Sequence, residues 1–466
     1  MKTLTDTTAT YHLLRRAGFG PSLTGRARWV GLPPRQALEQ LWADAQPIDA
    51  LPVADLEGPS RQEIRMMSEQ ERRKLRQQGR QSLLQLNVAW IERMVHGRGQ
   101  LREKMTLFWH DHFACRFNSA FLAQGQHELL RRHALGKFGD LLRAIARDPG
   151  MLRFLNNQQN RKEAPNENFG RELLELFTLG RGHYREADIQ AAARAFTGWG
   201  FNLRREFVFR QAWHDDGPKT FLGQTGPWNG DDIIRIILAH KRTAYFLTTK
   251  LYRYFIHVEV DQAQVAAWAE DFYAHDYDLG RLLQQLFTSD HFYDQAHRSS
   301  HLKSPVEYLV SLLRLTGASL RDPQGHLLVQ KVLGQTLFQP PNVAGWPLGR
   351  EWIDSSSLMA RLQIPRAMLG GEALELRAKA SFAGNEDAIK LQGQAAKLQA
   401  EMDWDRLAQA FAGSELLPQL QSYLLARPLQ GPAARKLAAY AAVGSDRQQL
   451  QALTLHLLST PEFQLQ

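Results

Sequence analysis

The sequence contains one cysteine, Cys115, in 466 residues. A disulfide within the chain is therefore impossible, and a metal site with several cysteine ligands is excluded. Cys115 follows a strongly apolar segment, which favours a buried and unreactive thiol. No run reaches the roughly 18 apolar residues of a membrane-spanning helix. Residues Met1 to Asp6 lack the apolar region of a signal peptide, so we expect a cytoplasmic protein.

The sequence also lacks the motifs of several large enzyme classes. There is no Gly-x-Ser-x-Gly nucleophile elbow, and the phosphate-loop spacing is missing before Lys219-Thr220. Gly18-Phe19-Gly20-Pro21 follows a predicted helix instead of a strand, which does not suit a dinucleotide-binding loop. A Glu-x-x-His pair, the signature of di-iron helical bundles, is absent as well.

The chain is basic, with a net charge of +9 and a pI near 9.6. This excess suits an acidic partner, such as an anionic polymer or a membrane surface, or else an arginine-rich surface without a specific partner. No basic run is interleaved with aromatic residues, so we expect no nucleic-acid partner.

Helical periodicity dominates and predicts a mainly α protein: a multi-helix globular body with a small β-hairpin insertion and a helical C-terminal module. The body covers residues 1–370, followed by a linker or helical connector over 371–402 and the module over 403–466. Three segments interrupt the body: a charged insertion at about 57–80, the β-hairpin region at about 201–223, and an ordered Pro/Gly/Trp-rich loop at about 338–354.

The segment from Asn166 to Phe177 is the most informative part of the chain. Its helical periodicity predicts one apolar face and, beside that face, a line of polar side chains that includes Glu172 and Glu175. The apolar face consists of Phe169, Leu173, Leu176 and Phe177. On the opposite side, Glu167 and Arg171 are spaced to form an ion pair. A carboxylate beside a buried face has to be paired, metal-bound or protonated.

Two further clusters could carry chemistry. Trp109-His110-Asp111-His112 lies in an apolar helix, where His110 and His112 are separated by about 200°. A regular helix cannot direct both at one ion, so one of them binds while the other packs, or the helix ends or bulges here. His214-Asp215-Asp216 lies at a turn, where these side chains either bind a metal or cap backbone amides. A core or hydrogen-bonded histidine is the structural alternative at each position.

Together these clusters indicate a metal-dependent enzyme, either a hydrolase or an oxidoreductase. Its metal ligands would come from His110 or His112, Glu172 and His214. Histidine and carboxylate without cysteine suit Zn, Mn or Fe. A carboxylate that is not bound to the metal, among Glu172, Glu175 and Asp215, would then act as general base, and Arg171 would hold an anionic substrate group.

With these segments in order, the chain resembles the DUF1800 family, a bacterial family without an assigned function. The resemblance spans Tyr11 to Leu369 and rests on seven motifs: His12–Pro21, Phe108–Phe113, Asn166–Gly180, Ala187–Trp199, His214–Gly223, Lys303–Glu307 and Pro340–Trp352. It implies a mostly helical fold and proximity to genes for DUF1501 proteins, which look like alkaline phosphatases and sulfatases. Many relatives are exported, so export of this chain with a partner stays open. The resemblance supplies no catalytic residues.

Two alternatives to the enzyme stay open. In the first, the chain is a non-enzymatic accessory or maturation partner of a DUF1501-type protein, and the acids near Glu172 belong to a structural network with Asn168, Arg171 and Arg194. In the second, it is a carbohydrate-binding or anionic-polymer-binding module. The tryptophans that could then stack on sugars are Trp199, Trp213, Trp228 and Trp346.

Overall fold

The computed structural model describes residues 6–51, 61–371, 398–411, 415–440 and 445–466. Most of these residues are helical, and the strands within them form three two-stranded sheets. The predicted mainly α fold is therefore confirmed. Most of the predicted connector at 371–402 and residues 57–60 of the charged insertion lie outside the described residues. The division of the chain into a body and a C-terminal module stays a prediction.

The helices begin at residues that suit a helix start, among them the capping boxes at Ser68 and Ser304. The first ten are α1 Asp6–Arg16, α2 Pro34–Asp44, α3 Arg61–Met66, α4 Glu69–His96, α5 Gln100–His112, α6 Ala120–His133, α7 Phe138–Ala146, α8 Pro149–Phe154, α9 Asn168–Glu172 and α10 Glu186–Ala195. The others are α11 Gly230–Leu238, α12 Lys241–Phe255, α13 Gln262–Ala274, α14 Leu279–Thr288, α15 Pro305–Thr316, α16 Gln324–Leu333, α17 Ser355–Gly370, α18 Trp404–Ala410, α19 Leu416–Leu424, α20 Gly431–Tyr440 and α21 Asp446–Leu458.

All three sheets are antiparallel pairs. Their strands are β1 Trp199–Phe201 with β2 Phe207–Phe209, β3 Lys219–Phe221 with β4 Gln224–Gly226, and β5 Ser319–Leu320 with β6 Ala400–Glu401. The first two pairs lie in or beside the predicted β-hairpin region and confirm a small β-hairpin insertion there. Leu222 and Gly223, which both have positive φ angles, form the two-residue turn of the second hairpin. Its second strand, β4, therefore lies beyond the predicted region, which ends at about residue 223. The β5–β6 pair joins the C-terminal part of the chain to the body.

A buried carboxylate, Glu307, links distant parts of the chain. Glu307, in the first turn of α15, forms an ion pair with Lys104 on α5, and both side chains are almost completely buried. It also accepts hydrogen bonds from the backbone N–H of Ser304 (2.7 Å) and from Gln466 Nε2 (3.0 Å). Burial alone would raise the pKa of Glu307, but Lys104 and His301 outweigh it and hold that pKa well below its usual range.

Other buried cations surround this carboxylate and bind backbone carbonyls. Arg16, at the end of α1, donates to the carbonyl oxygens of Phe255 (2.8 Å) and Gln466 (3.0 Å). Lys303 donates to Phe463 O (2.7 Å), and Arg361 donates to Lys303 O (3.0 Å). These bonds hold the first helix, the centre of the chain and its last residues against one another.

We expect Glu307→Gln to lower the free energy of unfolding by about 3–5 kcal/mol, because Lys104 would stay buried without its counter-ion. Urea unfolding at pH 7 measures the difference. The depressed pKa makes the contribution of Glu307 fully present above pH ~4.3 and lost as the pH falls through the folded pKa, so the difference should shrink only in acid. The exposed Glu259→Gln is the control, and equal losses for both variants would contradict the prediction.

Candidate functional site

The end of α5 and the segment after α9 meet at one lysine of α12. Lys250 Nζ lies 3.1 Å from His112 Nδ1 and donates to Leu176 O at 3.1 Å. His112 Nε2 donates to Phe177 O at 3.1 Å. Because a carbonyl oxygen only accepts, the proton of the neutral ring is on Nε2, and Nδ1 accepts from Lys250. Two segments that the sequence predicts to be chemically active are thus in contact, through a lysine that sequence reasoning missed.

The helical segment that starts with α9 ends at Thr178, and the Leu176 and Phe177 carbonyls are available because they lie in its last turn. After α9 it continues as a π-helix over Leu173–Thr178, whose wider turn rotates the following side chains. Leu174 is consequently fully buried and Leu176 only half-buried. Leu176 is thus less buried than its position on the apolar face predicts, although it still packs against the core, and Phe169, Leu173 and Phe177 are in the core as predicted.

Asp111, next to His112, holds the Pro/Gly/Trp-rich loop. Its Oδ1 accepts the backbone N–H of Trp346 at 2.7 Å, whereas its Oδ2 has no hydrogen-bond partner in the described part of the chain. Gly345 has a φ of 85°, and a Cβ there would collide with Asp111. The same loop approaches His110, whose Nε2 accepts the backbone N–H of Phe338 at 3.0 Å.

The pKa values of Asp111 and Lys250 are shifted towards neutrality. Burial raises the pKa of Asp111 to about 6, against the opposing effects of the Trp346 N–H and Lys250. Burial lowers the pKa of Lys250 to about 8, against the opposing charge of Asp111. Burial and Lys250 together hold the pKa of His112 well below its usual range. Two groups that titrate near neutral pH at one place are typical of a functional site.

The acidic side chains of the Asn166–Phe177 segment differ in whether and how they are paired. Glu175 accepts from Arg181 Nε and from the Tyr184 hydroxyl (3.0 Å). Arg171 forms the predicted ion pair with Glu167 (2.9 Å) and a second pair with Glu186, on the more exposed side of the helix. Glu172 is half-buried, and burial together with Glu175 raises its pKa. It has no hydrogen bond to the described residues.

The turn with His214 and Asp215 belongs to a separate network beside α10. Asp215 forms two hydrogen bonds with Arg194, at 2.6 and 3.2 Å, and accepts the Gly217 N–H. His214 is buried, and its Nδ1 lies 3.0 Å from Thr197 O. Within the described ranges, no group of three or more His, Cys, Asp or Glu side chains is arranged to hold a metal ion. A metal centre that combines His110 or His112, Glu172 and His214 stays a prediction from the sequence.

The four tryptophans proposed as sugar-stacking residues are all buried or half-buried. Trp199 and Trp346 are buried. Trp213 and Trp228 are half-buried, and the guanidinium groups of Arg161 and Arg210 lie over the Trp213 ring at 3.8 and 4.8 Å.

Comparison with known families identifies the chain. Residues 12–465 match the family model described as "Protein of unknown function (DUF1800)". The chain therefore belongs to the DUF1800 family, and the match includes the C-terminal helices beyond Leu369, where the resemblance seen in the sequence ends. No curated protein and no solved structure matches significantly. No helix in the described ranges is both long and apolar enough to cross a membrane.

We expect removal of divalent metals to leave the melting temperature unchanged, because Phe338 and Lys250 already engage His110 and His112. Elemental analysis of the purified protein and thermal unfolding with and without EDTA test this. One equivalent of Zn, Mn or Fe that is lost in Glu172→Ala and kept in the exposed control Glu163→Ala would contradict the expectation and support the predicted metal centre.

We expect Lys250 to react as an amine with a pKa of about 8. Acetic anhydride labelling across pH 6–11, quantified by mass spectrometry, measures the neutral fraction of each lysine. Lys241 on the same helix is the internal control, because it is exposed and its pairing with Glu270 raises its pKa. In Asp111→Asn, the pKa of Lys250 should fall further, since the neighbouring negative charge is removed. Titration of Lys250 together with Lys241 would refute the shift.

Proposed function

We propose that this member of the DUF1800 family is a hydrolase that uses Asp111 as general base and Lys250 as the group that stabilises negative charge. The position of the Lys250 ammonium carries the proposal. The ammonium is held between His112 Nδ1 and Leu176 O. It lies near the half-buried carboxylate of Asp111, whose Oδ2 has no hydrogen-bond partner in the described part of the chain.

The hydrogen bonds leave one functional atom on each group. An ammonium has three N–H donors, and Lys250 uses two of them within the protein. Its third donor can bind a substrate oxygen and stabilise the negative charge that develops there. Asp111 Oδ1 is held by Trp346, which leaves Oδ2 to take a proton from water. Water activated in this way attacks the carbon, phosphorus or sulfur of a substrate ester. The bond from that atom to the ester oxygen breaks, and the departing alcohol takes up the proton that Asp111 accepted.

The two pKa values support these roles. Between pH 6 and pH 8, Asp111 is mainly ionised and Lys250 mainly protonated, which are the states that the base and the cation require. His112 stays neutral in this range, so it accepts from Lys250 without repelling it. Glu172, half-buried and without a hydrogen bond to the described residues, lies on the chain segment whose Leu176 carbonyl Lys250 contacts.

A second candidate is the accessory role beside a DUF1501-type protein. Val258 and Leu348 are exposed apolar side chains, and Val258 lies against Gly349, the residue that follows Leu348. Exposed apolar neighbours favour contact with another molecule. Co-expression with the partner followed by affinity purification tests this role. A stable complex that Leu348→Asp disrupts, with no turnover by this chain alone, would favour it over the hydrolase.

A panel of chromogenic carboxyl esters, phosphate esters and sulfate esters tests the hydrolase. We expect Asp111→Asn and Lys250→Met each to reduce kcat/KM by about 100-fold or more, which is typical for loss of an acid or base. Lys241→Met, on the exposed side of the same helix, should retain activity. The pH profile of the wild type should be bell-shaped, with limbs at about pH 6 and about pH 8. Equal activity of all three variants would refute the proposal.

Thermal unfolding of Asp111→Asn tests whether loss of structure, and not loss of the base, causes the lower kcat/KM of this variant. A raised carboxyl pKa means that the folded state binds the proton more tightly than the unfolded state, so stability falls as the pH rises from about 4 to 6. Asparagine avoids this cost, and Asp111→Asn should gain stability relative to the wild type between pH 5 and pH 8. An inactive variant that is also less stable at pH 8 would not support a catalytic Asp111.

A further inference from the structure

A recess lies at the end of α5 opposite Asp111. Its volume is about 340 Å³, and it lies between the segment after α1, the α4–α5 turn and α15. The residues that matter for its chemistry are Arg28, Trp29, Arg98, Gln100 and Arg314. The recess contains neither Asp111 nor Lys250, and α5 separates Gln100 from Asp111 by about 16 Å. The recess is therefore distinct from the proposed hydrolase site.

Arg314 contributes a buried charge to this recess. Only 7% of the residue is exposed, its Nε donates to Gly20 O (2.8 Å), and its Nη1 donates to Val95 O. Nη2 has no hydrogen-bond partner among the residues described, and no carboxylate there pairs with the guanidinium. Burial lowers the pKa of Arg314 to about 10, so the group is still a cation at neutral pH. A buried cation of this kind favours an anionic partner.

The other charges of the recess leave it positive. Arg28 pairs with Asp44 at 2.5 Å and lies over the Trp29 ring at 4.5 Å. Arg98 is exposed, and its side chain makes no ion pair with the described residues. The lining of the recess thus contains the guanidinium groups of three arginines and the carboxylate of Asp44. Guanidinium groups bind phosphate and carboxylate oxygens in pairs of parallel hydrogen bonds.

Gln100 adds an acceptor to this cationic recess. Its Nε2 donates to Met94 O (2.9 Å) and Gly97 O (2.7 Å), which fixes the orientation of the amide. Gln100 is 3% exposed, and its Oε1 is buried without a partner. A buried acceptor of this kind requires a donor. A ligand that satisfies Gln100 must therefore carry a hydroxyl or amine group besides its anionic group.

We propose that this recess binds a small soluble anion that also carries a hydroxyl group, such as a phosphate ester or a hydroxy acid. Arg314 and Arg98 bind the anionic group, and Gln100 Oε1 accepts the hydroxyl hydrogen. A volume of about 340 Å³ suits a small molecule and not a polymer chain. The proposal does not depend on the hydrolase, because the two sites share none of these residues.

Isothermal titration at low salt tests the proposal with four probes: glycerol 3-phosphate, D-glycerate, inorganic phosphate and glycerol. We expect glycerol 3-phosphate or D-glycerate to bind more tightly than phosphate, and glycerol not to bind. Arg98→Met should weaken binding about 10-fold or more through loss of a charged contact. Arg132→Met, another exposed arginine, is the matched control and should bind as the wild type does. Gln100→Leu should remove the preference for the hydroxylated anions over phosphate.

Three results would overturn the proposal. They are no binding of any anion by the wild type, equal weakening by Arg98→Met and Arg132→Met, and glycerol binding as tight as that of glycerol 3-phosphate. Sedimentation with phosphatidylglycerol vesicles distinguishes a lipid headgroup from a soluble ligand. Vesicle binding that Arg98→Met abolishes, without binding of the soluble anions, would assign the site to a membrane and refute a soluble ligand. Arg98 plays no part in the hydrolase, so Arg98→Met should leave hydrolysis unchanged.

Discussion

The arrangement of the helices depends on keeping the buried carboxylate of Glu307 paired. Lys104 provides its counter-charge from α5, and Ser304 and Gln466 donate hydrogen bonds to it. A buried carboxylate without these partners would be strongly destabilising. The requirement therefore positions α5 against α15 and against the last residues of the chain. The nearby Arg16 extends the same network to α1 by binding backbone carbonyls of α12 and Gln466.

This constraint matters for function because α5 carries a candidate site near each end. Asp111 and His112, at its C-terminal end, meet Lys250 of α12. Gln100, its first residue, lies in the cationic recess with Arg314 of α15. The ion pair of Lys104 lies between them. Both sites contain polar groups whose burial costs stability, such as Asp111 and Arg314. A well-paired centre allows the fold to tolerate groups that favour binding or catalysis over stability.

The candidate site illustrates how far sequence patterns reach. Periodicity identified two relevant segments, Phe108–Phe113 and Asn166–Phe177, and the structure brings them together through His112 and Phe177. It could not identify Lys250, because one lysine in an amphipathic helix gives no local sign that its charge is buried. It could not predict the π-helix either, since a single widened turn depends on tertiary packing. Asp215, placed in the same predicted pocket, pairs with Arg194 in a separate network.

The sequence by itself determined the mainly helical class, the β-hairpin region and the Glu167–Arg171 pair, because these depend on residues within a few positions of one another. It also excluded a disulfide within the chain, since there is one cysteine. Only the tertiary structure decided the tautomer of His112, the shifted pKa of Lys250 and the unpaired Oε1 of Gln100. Each of these depends on burial and on contacts between different elements of the fold, which no local pattern of residues encodes.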